Sequence, residues 1–221
     1  MDTNECTPFT DIYEYALTEI NSDELRRDKQ CNPALFYRKM FLYLQNGVPL
    51  FDTPMGISAE FTYERPEWKD LYLTLNEGQT EIDTGVTGYD IADISTEEEC
   101  LQSEYDSNTG RIVLKETVSS ETEICIDFYK DGYFHRMLNH QEMYILGLCV
   151  GVAWFRHFSN SDVDIRPKIQ DSSFKTSSEA NDTNARTTRL NQLYDMLQLQ
   201  MGSYARGIAF RNTVPQNRWG Y

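Results

Sequence analysis

By side-chain type, the three histidines are best suited to move protons or hold a metal: His135, His140 and His157. Ligands that share a helix face stand three or four residues apart, whereas His135 and His140 are five apart and flank a helix start. His157 follows Arg156 at what reads as a helix end, where the dipole favours a cation. Structural or surface roles suit all three. The five cysteines, Cys6, Cys31, Cys100, Cys125 and Cys149, show no CxxC spacing and no Cys/His cluster. That excludes a structural zinc box and implies reduced thiols in an intracellular product.

The stretch DSNTGRIVLKET (106–117) alternates Asp106, Asn108 and Gly110 as a calcium loop does. Its glycine falls one place early, however, and Thr117 stands where the bidentate acid belongs. A hairpin turn with Gly110 at positive φ explains it better. The sequence has no GxSxG elbow, P-loop or GxGxxG cradle. Carboxylates number 35, including the run EEE at 97–99, so acid pairs arise by chance and none singles out a catalytic dyad. The expectation is a protein with no catalytic residue, metal or cofactor, and no enzyme activity.

These residues ride on an α+β pattern. Thr7-Pro8 offers an N-cap and a first-turn proline, followed by Phe9, Ile12, Tyr13, Ala16 and Ile20 at helical spacing. Asn32-Pro33 repeats the signal and Gly47 ends that helix, with SDELRRDKQ as a charged connector between the two. From 57 to 134 the period changes to two, with turn signals NEG, DSNTG and KDG. Four to six short antiparallel strands in a small sandwich or barrel are expected.

LNHQEMYILGLCVGVAWF then opens with Asn139 and Glu142 spaced as a capping box, flanked by Leu138 and Met143 as a hydrophobic staple. Its helix is apolar on nearly every face from Met143 to Phe155, so it is buried by its own chain or by a neighbouring subunit. Its apolar run is too short to span a bilayer. Gly147 and Gly151, with Trp154 beyond them, allow another backbone to approach closely. The polar segment QDSSFKTSSEAN (170–181) leads to a last helix marked by Leu190, Leu193, Tyr194, Leu197 and Met201, which Gly202 is expected to stop. Ser177 or Ser178 is expected to cap that helix and Phe174 to anchor the turn. Residues 203–221 carry Arg206, Arg211 and Arg218, no acid, and the aromatics Tyr204, Phe210, Trp219 and Tyr221, as an arm suited to docking.

The charge is uneven. Residues 1–134 hold 28 acids against 10 bases, and residues 135–221 hold 7 against 10. Such acidity disfavours adhesion to DNA phosphates and suits a surface that DNA slides past. The N-terminus lacks a basic n-region and an apolar h-region, so no signal peptide is expected.

The segment LNHQEMYILGLCVGVAWF, together with Phe174-Lys175, Ser178, Ala180 and Asn181 of the polar stretch, resembles tailed-bacteriophage head–tail connector (adaptor, or neck) proteins. In that family a Leu-Thr-x-x-Glu-like cap opens a helix ending near a Trp, and His140 departs from the small polar residue found after the cap. The resemblance is best in the C-terminal part and implies a helical connector core of four to five helices, residues 1–56 and 135–202. The β-rich 57–134 is then an inserted module and 203–221 an extended C-terminal arm. It further implies a structural virion protein: a ring, dodecameric in that family, that joins the portal to the tail and continues the DNA channel. Implied partners are further copies of the chain, the portal protein and other neck or tail proteins. Genomic DNA would pass without specific binding, and no membrane is involved. The protein would be made in the host cytoplasm and reside in the virion neck. Phe174, Lys175, Ser178, Asn181, Arg206, Phe210, Arg211, Arg218, Trp219 and Tyr221 are the expected subunit or portal contacts. Alternatives are a tail completion or terminator ring, or a carbohydrate-binding or hydrolytic protein using Trp68, Tyr72, Tyr89 and Tyr105 as a stacking platform.

Overall fold

The computed structural model describes residues 6–51, 61–96, 100–165 and 176–213, with side chains at 6–51, 61–96, 100–157, 185 and 187–209. The order is β1 (Thr7–Pro8), α1 (Phe9–Ile20), α2 (Asp23–Cys31), α3 (Pro33–Gly47), a 3-10 turn (Val48–Leu50), then eight strands. The strands are β2 (Tyr63–Glu64), β3 (Glu67–Leu75), β4 (Glu81–Asp83), β5 (Asp90–Ser95), β6 (Ser103–Asp106), β7 (Arg111–Leu114), β8 (Thr122–Lys130) and β9 (Tyr133–Phe134). Helices α4 (His140–Ile165) and α5 (Thr176–Thr213) complete an α+β fold. The chain forms two compact units: 1–21, 42–62 and 136–221 in one, 22–41 and 63–135 in the other.

In the helical unit, α1 buries Phe9, Ile12, Tyr13, Ala16 and Ile20, the residues its spacing indicates. Its cap differs from expectation. Pro8 is the extended N-cap residue, without a side-chain cap bond. Thr7 instead accepts from the Leu138 amide (2.8 Å) and donates to the Arg136 carbonyl (3.1 Å), satisfying buried backbone at the approach to α4. Helix α4 is buried by its own chain: Ile145, Leu146, Leu148, Cys149, Val150 and Val152 are fully covered, chiefly by α1 and α5. It continues past Phe155 to Ile165, so Arg156 and His157 lie within the helix and not at its end.

Helix α5 corrects two expectations. It starts at Thr176, placing Ser177 and Ser178 in its first turn and not at the cap. It also runs through Gly202 to Thr213, so 203–213 is helical and not an extended arm. One glycine costs a helix only about 1 kcal/mol. Burial of Met201, Tyr204 and Ala205 around Gly202 outweighs that.

In the second unit, β3, β8 and β5 form one antiparallel sheet and β4, β7 and β6 another, while β2 pairs with β9. Leu75, Ile82, Ile94, Ile112, Leu114, Ile124, Ile126 and Phe128 join in one core between the two sheets, which makes this unit a sandwich. The eight strands β2–β9 exceed the expected four to six because β2 and β9, of two residues, and β4 and β6, of three and four, are too short to show a period. Gly110 takes φ +74° in its turn, where Asp106 accepts from the Asn108 amide and the Thr109 hydroxyl.

The other face of the β3–β8–β5 sheet meets the first part of α3. Tyr37 stacks on Tyr129 at 4.4 Å, and Ala34 packs with Tyr129, Ala92 and Trp68. These contacts draw residues 22–41 to the strands, whereas the sequence placed them in the helical core. The charged connector is itself a helix, α2: Ser22 accepts from the Leu25 amide, and Lys39 of α3 bonds Asp28 at 2.6 Å. Asn32 caps α3 as its sequence indicates, accepting from the Leu35 amide.

Three carboxylates line up across that sheet, Asp70 and Asp93 both opposite Asp127. Desolvation, then the neighbouring Asp70, raise the Asp127 carboxyl above its ordinary value, while Arg38 pairs with Asp70 at 3.2 Å. A raised carboxyl penalises the fold once pH exceeds the folded value, and the penalty disappears as pH falls below the unfolded one. Asp127→Asn should therefore stabilise this unit at pH 7 by on the order of 0.5 kcal/mol. In thermal melts the advantage should vanish toward pH 4, and a variant no more stable than wild type at pH 7 would refute the repulsion.

Candidate assembly surfaces

The strongest polar constellation of the helical unit is built around Glu142, 3% exposed in the first turn of α4. The Asn139 amide donates to Oε2 at 2.9 Å, and the Glu142 amide donates to Asn139 Oδ1 at 3.0 Å: the capping box the sequence announces. Tyr204 of α5 donates to Oε1 at 2.6 Å and the Arg136 guanidinium reaches the same oxygen at 3.0 Å. Burial alone would raise the carboxyl, but the bonds from Tyr204, Asn139 and Arg136 outweigh it and hold it below its ordinary value. Burial, then the Glu142 bond, push the Tyr204 hydroxyl up to about 12. Arg136 also lies over Phe61 at 5.2 Å, and Phe51 meets both Phe61 and Tyr204 edge-on. Tyr204 is 62 residues from Glu142, and Arg136, though only six residues before it, stands at no capping position, so neither is assigned to the cap by spacing.

This hub positions α5. Nearer the start of α5, Arg189 donates to the Glu19 carbonyl at 3.0 Å, and Tyr144 of α4 donates to the Glu19 carboxylate at 3.2 Å. Arg156 of α4 lies over Tyr194 at 5.2 Å. One stripe of α5, Leu193, Leu197, Met201, Tyr204 and Ala205, is thereby buried. Asp195, Gln198, Leu199, Ser203 and Arg206 are exposed on the rest.

Gly147 does what a close-approach glycine does: a Cβ there would stand 2.7 Å from Tyr15 Cβ and 3.1 Å from the Ala16 amide of α1. Gly151 is roomier, with Ile20 and Leu193 both at 3.8 Å. Trp154 is buried and meets Phe155 edge-on at 4.6 Å. All three therefore serve packing inside the chain.

Of the expected contact residues, Arg206 is exposed on α5. Ser178, Asn181, Phe210 and Arg211 belong to the same helix, with side chains outside the described residues. Phe174, Lys175, Arg218, Trp219 and Tyr221 lie outside the described residues altogether. What the structure brings together is a single helix of 38 residues bearing both the polar stretch's end and the first two arginines of the basic stretch.

No protein family, curated protein or solved structure matches this chain.

The residues with chemical potential are dispersed. Tyr15 bonds His140 Nδ1 at 2.9 Å, His157 packs beside Tyr43, and His135 meets Tyr133 edge-on. Among the described residues no group of three His, Cys, Asp or Glu is arranged to hold a metal. The four aromatics of the carbohydrate reading do not share a platform. Trp68 is covered by Arg38 at 5.0 Å and Tyr129 at 4.6 Å, and Tyr105 packs on the sandwich core. Tyr89 bonds Glu67, and Tyr72 alone is widely exposed, at 74%. Among the described residues no helix is long and apolar enough to cross a membrane.

Proposed function

We propose that this chain is a structural subunit of a tailed-phage neck, assembling as a ring that joins the portal to the tail and continues the DNA channel. One observation carries the reading: α5 continues unbroken to Thr213, so the exposed Arg206 and the first part of the acid-free, Arg-bearing sequence stand on the same helix that packs into the unit. A long helix that carries such a sequence as one continuous element can present it to another chain. Arginine and aromatic residues at its end are what interface centres use. The capping box and buried α4 agree with the segment that resembles the connector family. Burial of α4 lends no support to a ring, because its own chain supplies it. The reading assigns no catalysis, places the chain in the virion neck, and has DNA pass an acidic body without adhesion.

The test is negative-stain imaging of the purified chain with and without the portal protein of the same phage. Closed rings on the portal are expected. Removing 214–221, which deletes Arg218, Trp219 and Tyr221, should leave the far-ultraviolet dichroism unchanged and weaken portal binding at least about tenfold. Deletion from 203 would be uninformative, since it takes Tyr204 and Ala205 out of the core. A full-length chain that never binds portal sinks the proposal.

A further inference from the structure

Along the outer face of α5, Asp195, Leu199, Gly202 and Arg206 recur at intervals of four, three and four. That alternation is the seam spacing of paired helices. Leu199 is 65% exposed, Asp195 and Arg206 are exposed with it, and together with Gln198 and Gly202 they line a shallow groove. The helix's own packing uses a different stripe, Leu193, Leu197, Met201 and Tyr204, so the seam is left over once the unit has folded.

We propose that this face binds the same face of a second copy of the chain, antiparallel, about a two-fold axis midway between Leu199 and Gly202. The numbering is self-complementary about that point. Leu199 of one copy falls opposite Gly202 of the other, and Asp195 falls opposite Arg206; each pairing occurs twice. Gln198 and Ser203, both exposed, fall opposite each other beside the seam. Gly202 supplies a hole for the leucine knob: a Cβ built there would meet only the Arg206 guanidinium, at 3.8 Å. That flexible tip is free to swing toward the opposing carboxylate. Asp195 is also the sole acid from residue 183 to the C-terminus, so one negative charge stands on an otherwise basic stretch. A parallel pairing would set Arg206 on Arg206 and Asp195 on Asp195, which charge forbids. The antiparallel register alone satisfies both. So short a seam gives a reversible dimer of the free chain and not an obligate one. The inference goes beyond the ring reading and does not rest on it.

Sedimentation velocity on the full chain over a concentration series tests this. Wild type should show a monomer–dimer equilibrium that weakens with salt. Asp195→Arg and Arg206→Asp should each weaken association about tenfold or more, because each creates two like-charge pairs. The double variant should recover the wild-type constant, since both pairs are rebuilt with reversed sign. Leu199→Ala should weaken association without rescue by charge. All three positions are exposed, and circular dichroism confirms the fold of each variant. A chain that is monomeric throughout, an association indifferent to the single swaps, or a double variant that fails to recover would each overturn the proposal. Portal binding is scored separately, so the two readings fail independently.

Discussion

Glu142→Ala should lower the stability of the helical unit by about 3 kcal/mol, measured by denaturant unfolding followed through helix dichroism. Two losses add. The reciprocal cap at Asn139 disappears, at about 1 kcal/mol. The Tyr204 hydroxyl, on a side chain only 7% exposed, loses the acceptor 2.6 Å away, and an unsatisfied buried hydroxyl costs about 1–3 kcal/mol. Arg136 is less affected, since its side chain is 40% exposed and can turn to water. Glu142→Gln keeps one acceptor oxygen, which can serve the Tyr204 hydroxyl or the Asn139 amide but not both, and should lose less than the alanine variant. The carboxyl is held below its ordinary value in the fold, so its contribution is fully present above the unfolded value. It is lost as pH falls through the folded one. Glu142→Gln should therefore flatten the acid limb of the stability profile relative to wild type. Hydrogen exchange adds a local readout: amides of α5 from Tyr204 onward should lose protection in Glu142→Ala, because that bond pins the helix beyond Gly202. An alanine variant within 1 kcal/mol of wild type would show that the hub is incidental.

Gly147→Ala and Gly151→Ala should move stability in opposite directions although the two glycines share one stripe of α4. At 147 the new methyl would lie 2.7 Å from Tyr15 Cβ and 3.1 Å from α1 backbone atoms, none of which is a flexible side-chain end. Helices α1 and α4 must then separate, and overpacking of that kind costs about 1–3 kcal/mol, more than the ~1 kcal/mol that alanine gains over glycine in a helix. At 151 the nearest atoms, Ile20 Cγ1 and Leu193 Cδ1, stand at 3.8 Å, an ordinary contact. There the propensity gain survives, and the variant should be as stable as wild type or up to ~1 kcal/mol more so. Thermal melts resolve the contrast, since 1 kcal/mol moves the midpoint by about 2–4 °C in a chain of this size. Equal effects at both glycines would contradict the packing described for α1 and α4.

The sequence announces its strongest local signals reliably. Asn139 with Glu142, Asn32 before Pro33, and Gly110 after DSNT each report a backbone requirement met within a few residues. Its errors fall where a local signal meets a distant partner. Thr7 looks like a cap because capping is local, yet its hydroxyl serves Arg136 and Leu138, over a hundred residues away. Gly202 looks like a stop because glycine weakens helices, yet Tyr204 and Ala205 are held by the hub and the core. The SDELRRDKQ segment reads as a connector because Leu25 is its single buried side chain, and α2 is fixed instead by its Ser22 cap and by Lys39.

The chain's periodicity and turn residues by themselves determined the α+β class, the buried α4, the change of period near residue 57 and the uneven charge, because these depend on neighbours in sequence. Only the tertiary structure decided which elements share a unit, which glycine is intolerant of a methyl, and which stripe of α5 is spent on folding. Those outcomes depend on the distance between backbones and on which faces are already covered. The open face of α5, with Leu199 between Asp195 and Arg206, acquires meaning only once the stripe of Leu193, Leu197, Met201 and Tyr204 has been buried.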